Sequence, residues 1–324
     1  MINVSYIKKN KKKILRLIKF RNKKYIKIIK KILFLQKNFI IINNEIFFLK
    51  KILYKKKKKI INFYKKYKKK HIKIKFLLKK LLSLIPNIPN KNFYNKKNYK
   101  NNIIIYNNIY IYKKFKKKNN HIVLGKKYKI LDFIKSSINV GRGFFTYINK
   151  GARLHNSLIN FLINENIKKK YIEYVFPYLI NKESLYGTGQ IPSKKKQLYK
   201  INNNYYLIPT GEVPLINFHK NKIFNYNKLP IKNTTYTSCF RKETGHYGNK
   251  NKGLNRLHQF DKIEITMITN HNSDYYIINM INHIKNILFK LQIPFRIIRL
   301  SAKKLNYTAN ITYDFEIYSF VQKK

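Results

Sequence analysis

The first 85 residues of this chain contain neither glycine nor proline, whereas all ten glycines lie between Gly125 and Gly253. A segment lacking both residues has no easy route to a left-handed turn or a rigid break, so it must form long regular elements. Within it Ile14, Ile18, Tyr25, Ile29, Ile32, Leu33 and Leu35 recur at three- and four-residue intervals. Leu49, Ile52 and Leu53 keep the habit, as do Phe76, Leu77, Leu78, Leu81 and Leu82. That spacing lays apolar side chains along one helical face. The lysines of 55–59 repel one another and interrupt the apolar period, which places the turn there. Two long antiparallel helices pairing their apolar stripes are the simplest outcome. The run Ile85-Pro86-Asn87-Ile88-Pro89-Asn90 ends the second helix, because proline removes a donor and restricts the residue before it.

Composition then narrows the partners. Lys+Arg number 72 and Asp+Glu 12, a net charge of +60 over 324 residues. Lys, Asn, Ile, Tyr and Phe are residues of A/T-rich codons and Trp is absent, so genome bias supplies much of this charge. The remainder favours a polyanionic partner whose binding depends on salt. The single cysteine, Cys239, excludes an intrachain disulfide framework and a cysteine-built zinc site; no metal-ligand set is expected, and a reducing, cytoplasmic location fits. Lysines interrupt every early apolar stretch, so neither a membrane span nor a signal peptide is expected.

Residues 87–120 read as a linker with one or two strands. From His121 a globular domain is expected, giving an α+β chain: an N-terminal helical hairpin over 1–86, the linker, and a sheet domain flanked by helices over 121–324. Gly151 to Ile167 reads as an amphipathic helix with Leu154, Leu158, Phe161 and Leu162 on one face. Tyr171 to Ile180 reads as a strand that Pro177 confines to an edge or interface. A helix over Asn272–Leu291 and strands over Phe295–Leu300 and Tyr313–Ile317 complete the outline.

The chemistry concentrates in Tyr205–Glu264, two β-like runs joined by a long glycine-containing loop. Arg241, leaving the first run, offers a planar fork that matches phosphate. Phe260, on the returning run, offers a flat face to a purine, where stacking contributes about 1–3 kcal/mol. Glu212 and Glu264 are carboxylates in apolar runs and need cations. Lys262 is a candidate for Glu264, and a substrate ammonium is another. Phosphate, purine and amine together suggest ATP plus an amino acid.

The segments TGEVPL (210–215), CFRKETG-YG (239–248) and GL-R-HQFDKIE (253–264) resemble those of bacterial-type seryl-tRNA synthetases, class II aminoacyl-tRNA synthetases. The likeness extends upstream through YIEYVFPYLINKESLYGTGQIP (171–192), similar to the family's motif 1 region, and downstream to TYDFEIY (312–318). It implies a class II antiparallel sheet, with Thr312–Tyr318 as a central strand. Thr210, Gly211 and Glu212 would bind serine, with Gly211 where the family has alanine, and Glu264 would receive the serine ammonium. Arg241 and Glu243 would be catalytic, Arg241 on the ATP α-phosphate; Lys242, Arg256 and Glu243 would also meet ATP, and Phe260 would carry the adenine. His258 is read as structural. The resemblance further implies Mg²⁺ as a cofactor, serine and tRNA(Ser) as partners, and a homodimer through the 151–180 region. Ala302-Lys303-Lys304 stands where the family shows Thr-Gly-Asp, and Ile311 where it shows lysine. The motif 3 arginine is not found in these 324 residues. The expected activity is therefore serine–tRNA ligation, with the alternative of a non-catalytic tRNA-binding remnant or the N-terminal part of a split enzyme.

Overall fold

The computed structural model describes residues 3–52, 58–91, 101–109, 119–242, 253–270 and 272–321. In chain order the helices are α1 (Val4–Lys9), α2 (Lys11–Arg21), α3 (Lys24–Ile52), α4 (Lys58–Leu82), α5 (His121–Lys127), α6 (Ile134–Val140), α7 (Lys150–Lys168), α8 (Lys182–Gly187), α9 (Gln190–Ser193), α10 (Glu212–Asn217) and α11 (Ser273–Lys290). The strands are β1 (Ile103–Asn107), β2 (Leu131–Asp132), β3 (Thr146–Tyr147), β4 (Ile172–Glu173), β5 (Leu179–Asn181), β6 (Tyr205–Leu207), β7 (Ile231–Phe240), β8 (Gln259–Ile268), β9 (Phe295–Arg299) and β10 (Tyr313–Ile317). The class is α+β. The chain divides into two compact units, Met1–Tyr106 with Ile297–Glu316 and Asn107–Arg296 with Ile317–Lys324.

In the first unit the apolar stripe read from the sequence is the core. Ile7, Ile14, Ile18, Ile29, Ile32, Leu78 and Ile85 are buried together, with Tyr25, Leu33, Leu35, Leu81 and Leu82 packed against them. Residues early in α3 thus meet residues late in α4, the signature of an antiparallel pair, and Phe39 stacks on His71 at 4.5 Å. The helix expected to run unbroken from Ile14 to Leu35 is interrupted. The Asn22 side chain accepts from Lys24 N at 2.9 Å, a local bond that competes with the helical ladder. The expected turn at 55–59 falls mostly outside the described residues. Among the described residues one helix, α3, is long and apolar enough to cross a membrane by length and composition; Lys37 and Glu45 fall within it.

β1, β9 and β10 form a sheet in the order β1-β9-β10. Leu300 N donates to Thr312 O and Tyr318 N to Pro294 O, so β9 and β10 run antiparallel. The last strand therefore lies at an edge of this sheet, not in the centre of the sheet that carries β7 and β8. The described strands form four small sheets.

The second unit is built on β4-β7-β8. β7 and β8 pair antiparallel over ten residues each, from Ile231↔Ile268 to Phe240↔Gln259, and β4 pairs parallel to β7 at the edge. The strand expected over 171–180 is two short strands in different sheets: β4 joins β7, while β5 pairs antiparallel with β6. Pro177, between them, has no N–H to continue a ladder. α7 covers β7 and β8 with Ile163 and Asn166 buried, but Leu154 and Leu158 of its expected apolar face are 66% and 40% exposed.

Candidate active site

The register of β7 and β8 decides which side chains meet. Alternate residues of a strand point to one face, so Phe260, Lys262 and Glu264 share a side of β8, opposite Cys239, Thr237 and Thr235 of β7. β6 is drawn to the end of this hairpin by Phe240 N, which donates to Ile208 O at 2.8 Å. The chain after β6, Pro209-Thr210-Gly211, is thereby placed against Glu264, and α10 starts from it with Val213 and Leu215 buried.

Glu264 is the hub. Its Oε1 and Oε2 accept from Thr210 Oγ1 at 2.7 and 2.8 Å, and Oε2 also accepts from Glu212 N at 2.5 Å. Lys262 Nζ lies 2.5 Å from Oε1 and donates to Thr210 Oγ1 at 3.1 Å. Gly211 is needed for this closeness. A Cβ there would stand 2.9 Å from Glu264 Oε2 and Thr237 Oγ1 and 2.8 Å from Thr235 Cγ2.

Arg241 leaves β7 with its Nε donating to Pro209 O at 3.1 Å and its guanidinium 5.0 Å from the Phe260 ring centre. The phosphate-matching fork thus lies over one face of a purine-sized ring, and the fork has N–H donors besides the Nε that meets Pro209. Lys242 turns away: its backbone N donates to Gln197 O at 2.7 Å and its ammonium sits 5.4 Å over the Tyr199 ring. Arg256 is exposed on the returning arm. Glu243 lies outside the described residues. His258 is a packing residue: it stacks on Phe144, hydrogen-bonds Tyr199 OH through Nδ1 at 2.5 Å, and fits only because Gly143, at φ +91°, has no Cβ.

Charge in the site is mixed and coupled. Burial and the neighbouring Glu264 push the Glu212 carboxyl up, opposed by Lys262, Lys194 and Arg241. Burial, then Arg241, pulls the Lys194 ammonium down, with Glu212 opposing and Lys262 adding to the fall. Three cations therefore converge on two carboxylates, a seat for anionic ligand groups. Lys194 escaped the sequence reading because it sits in a lysine run, 194–196, that looks like background. The alternation Phe260, Lys262, Glu264 was the signal that tied Lys262 to the same face.

Behind this face stands a buried polar chain. His283 Nε2 meets Asn166 Oδ1 at 2.7 Å, Asn166 Nδ2 donates to Thr234 Oγ1 at 2.9 Å, and Thr234 Oγ1 donates to Glu264 O at 2.9 Å. Burial, then Lys169, pulls His283 down, with Glu165 opposing, and the Asn166 oxygen that it faces calls for a donor at Nε2. On the opposite face of β8, Asp261 accepts from Tyr236 OH at 3.0 Å and Ser238 Oγ at 2.6 Å and faces His155 Nε2 at 3.0 Å. A cavity of about 560 Å³ between α7 and β8 is lined by His155, Leu158, Tyr236 and Asp261, and also by Phe260 and Lys262.

Residues 197–324 match the tRNA synthetase class II core domain (G, H, P, S and T). The chain is 40% identical over 278 residues to the serine--tRNA ligase of Wigglesworthia glossinidia brevipalpis, covering 82% of this chain and 64% of that protein. It is 39% identical over 248 residues to that of Mesoplasma florum (75% and 58%), and 39% identical over 201 residues to that of Phytoplasma mali (61% and 48%). The chain thus spans about half to two thirds of the length of these relatives. Among solved structures it is similar to the seryl-tRNA synthetase of Pyrococcus horikoshii complexed with ATP, with a TM-score of 0.90 at 23% identity over 100% of this chain and 82% of that one. The cytoplasmic serine-tRNA ligase of Naegleria fowleri in complex with AMP gives 0.81 at 24% identity, over 95% and 76%.

Proposed function

We propose that this member of the seryl-tRNA synthetase family takes part in activating serine with ATP and in transferring it to the 3′ end of tRNA(Ser). The serine carboxylate attacks the α-phosphorus; a carboxyl–phosphate bond forms, the bond to the β-phosphate breaks, and pyrophosphate leaves. A ribose hydroxyl of the tRNA end then attacks the mixed anhydride and AMP leaves. The attacking carboxylate is already ionised, so the chain supplies no nucleophile. Its work is alignment and charge stabilisation.

The observation that carries this reading is the juxtaposition of a donor-held Glu264 with the Arg241–Phe260 pair. Glu264 and Thr210 receive the serine ammonium and Glu212 lines the same seat. Arg241 steadies the α-phosphate as its charge grows, Phe260 carries the adenine, and Arg256 and Glu243 serve ATP from the connecting loop, while Lys242, over the Tyr199 ring, is left out of that set. Mg²⁺ would enter with ATP as part of the substrate and would offset phosphate charge; three cations around Glu212 and Glu264 do not suit a resident bare metal ion. Residues 1–86 act as a tRNA-binding arm through the lysines of α3 and α4, and the region from 121 carries the chemistry, in the cytoplasm. A homodimer through α7 and the 171–179 stretch fits the exposure of Leu154 (66%) and Val175 (89%).

Arg241→Ala tests the assignment. Serine-dependent ATP–pyrophosphate exchange should fall by about a hundredfold or more, the scale of removing a transition-state donor, with tRNA affinity unchanged within a few-fold. Equal loss of both would mean that Arg241 is structural.

A further inference from the structure

Glu264 already holds a cation where a substrate ammonium would bind. A carboxylate offers about four acceptor positions, and the Thr210 hydroxyl, the Glu212 N–H and the Lys262 ammonium already donate to it. The Lys262 ammonium has the charge, the geometry and the two partners, Glu264 Oε1 and Thr210 Oγ1, that an amino acid's ammonium would take. The two side chains are not equally fixed: that of Glu264 is 12% exposed and that of Lys262 is 37% exposed. The lysine is the member of the pair with room to leave.

We infer that Lys262 is a resident surrogate for the substrate ammonium, and that its displacement makes the site select zwitterions over plain amines. This rests on the reading that Glu264 receives serine. When serine's ammonium takes Glu264 and Thr210, Lys262 loses its carboxylate among other cations, with Arg241 and Lys194 close enough to depress or oppose one another's charge. A zwitterion brings its own carboxylate within reach of the displaced lysine, so one ion pair becomes two. An amine without a carboxylate replaces one cation with another and strands Lys262 unpaired. Lys262 is thus a specificity-determining residue that also holds the serine carboxylate after displacement.

The experiment measures equilibrium binding of L-serine and of serinol, its carboxylate-free analogue, to the full chain by titration calorimetry. Wild type, Lys262→Met, Lys262→Gln and Glu264→Gln are compared. Wild type should prefer serine by about tenfold or more. In Lys262→Met serinol should tighten and serine weaken until the two differ by less than about twofold. Lys262→Gln keeps a hydrogen bond to Glu264 without the charge and should show the same collapse, while Glu264→Gln should weaken both ligands. A serine preference that persists in both Lys262 variants overturns the inference and leaves the serine reading standing. No binding of serine by wild type or any variant at roughly 50 mM overturns the serine reading, and this inference with it.

Discussion

Among the described residues Glu264, Asp261 and Glu165 are carboxylates held by several donors each, and they stand in different settings. Glu264 stands in the candidate site among Thr210, Glu212 N and Lys262; Glu165, at the end of α7, ties elements together. Lys168 and Lys290 donate to it at 2.8 and 2.5 Å, and these bonds hold its carboxyl down to about 2, from an ordinary 4.5. A depressed carboxyl contributes stability that is present above its unfolded value and lost as pH falls towards the folded one. Wild type should therefore be more stable than Glu165→Gln at neutral pH. The gap should close between about pH 4.5 and pH 2, read from urea midpoints across that range. A gap that stays constant with pH would mean that the lysines do not bind the charged form. Arg241, Phe260 and Glu264 were legible as single residues because their chemistry is rare in a lysine-, asparagine- and isoleucine-rich background. Asn166 was not, because asparagine is part of that background.

At the scale of elements, the β7–β8 hairpin sets the site, and α7 and α11 set the hairpin. The chain His283–Asn166–Thr234–Glu264 O links two helices and two strands through buried groups. Removing Asn166 leaves a buried imidazole N–H without its acceptor and takes from the Thr234 hydroxyl the bond it accepts, while its bond to Glu264 O remains. Asn166→Ala should therefore destabilise the chain by about 1–3 kcal/mol, measured by urea unfolding, and should weaken ligand binding because Glu264 rides on the same strand. Loss of stability below about 0.5 kcal/mol would show that water replaces the asparagine. The helices α7 and α11 and the two β-like runs around the loop could be read from the sequence. The splitting of 171–180 into β4 and β5 was foreshadowed only by Pro177, which marks where a ladder stops and not where the chain goes next.

At the scale of the whole molecule, the first unit is closed by a contact between distant parts of the chain. The Arg21 guanidinium donates to Asn87 O at 2.8 Å, Leu305 O at 2.9 Å, Tyr307 O at 3.3 Å and also to Asn306 O. Asn87 N reaches Tyr307 O at 2.9 Å, and Ala302 and Leu305 are buried with Phe20 and Ile311 packed on them. Burial pulls Arg21 down to about 10, which leaves it charged. Lysine has the charge but not the planar fork, so Arg21→Lys should cost about 1–3 kcal/mol in thermal or urea unfolding; no loss would mean that the carbonyls are served by solvent. The same contact shows how to test the arm. Deleting the helices would strip residues 302–311 of their packing, so the exposed lysines Lys50, Lys51, Lys65 and Lys66 should be changed to serine instead. Binding of tRNA should weaken, and the slope of log affinity on log salt should shrink by roughly 0.9 for each phosphate no longer neutralised. An unchanged slope would mark this charge as compositional background.

The sequence by itself determined the helical N-terminal stretch, the α+β class and which chemically distinctive residues flank the β7–β8 loop. These follow from local period and from residue chemistry, which are properties of neighbouring positions. Only the tertiary structure decided that Glu264 is already occupied by Lys262, that Lys194 joins the same seat, and that Asn166 and Arg21 hold carbonyls and hydroxyls from remote segments. A hydrogen bond between residues 286 apart leaves no periodic trace along the chain, because which donors and acceptors meet is set by how the elements pack and by the need to satisfy every buried polar group.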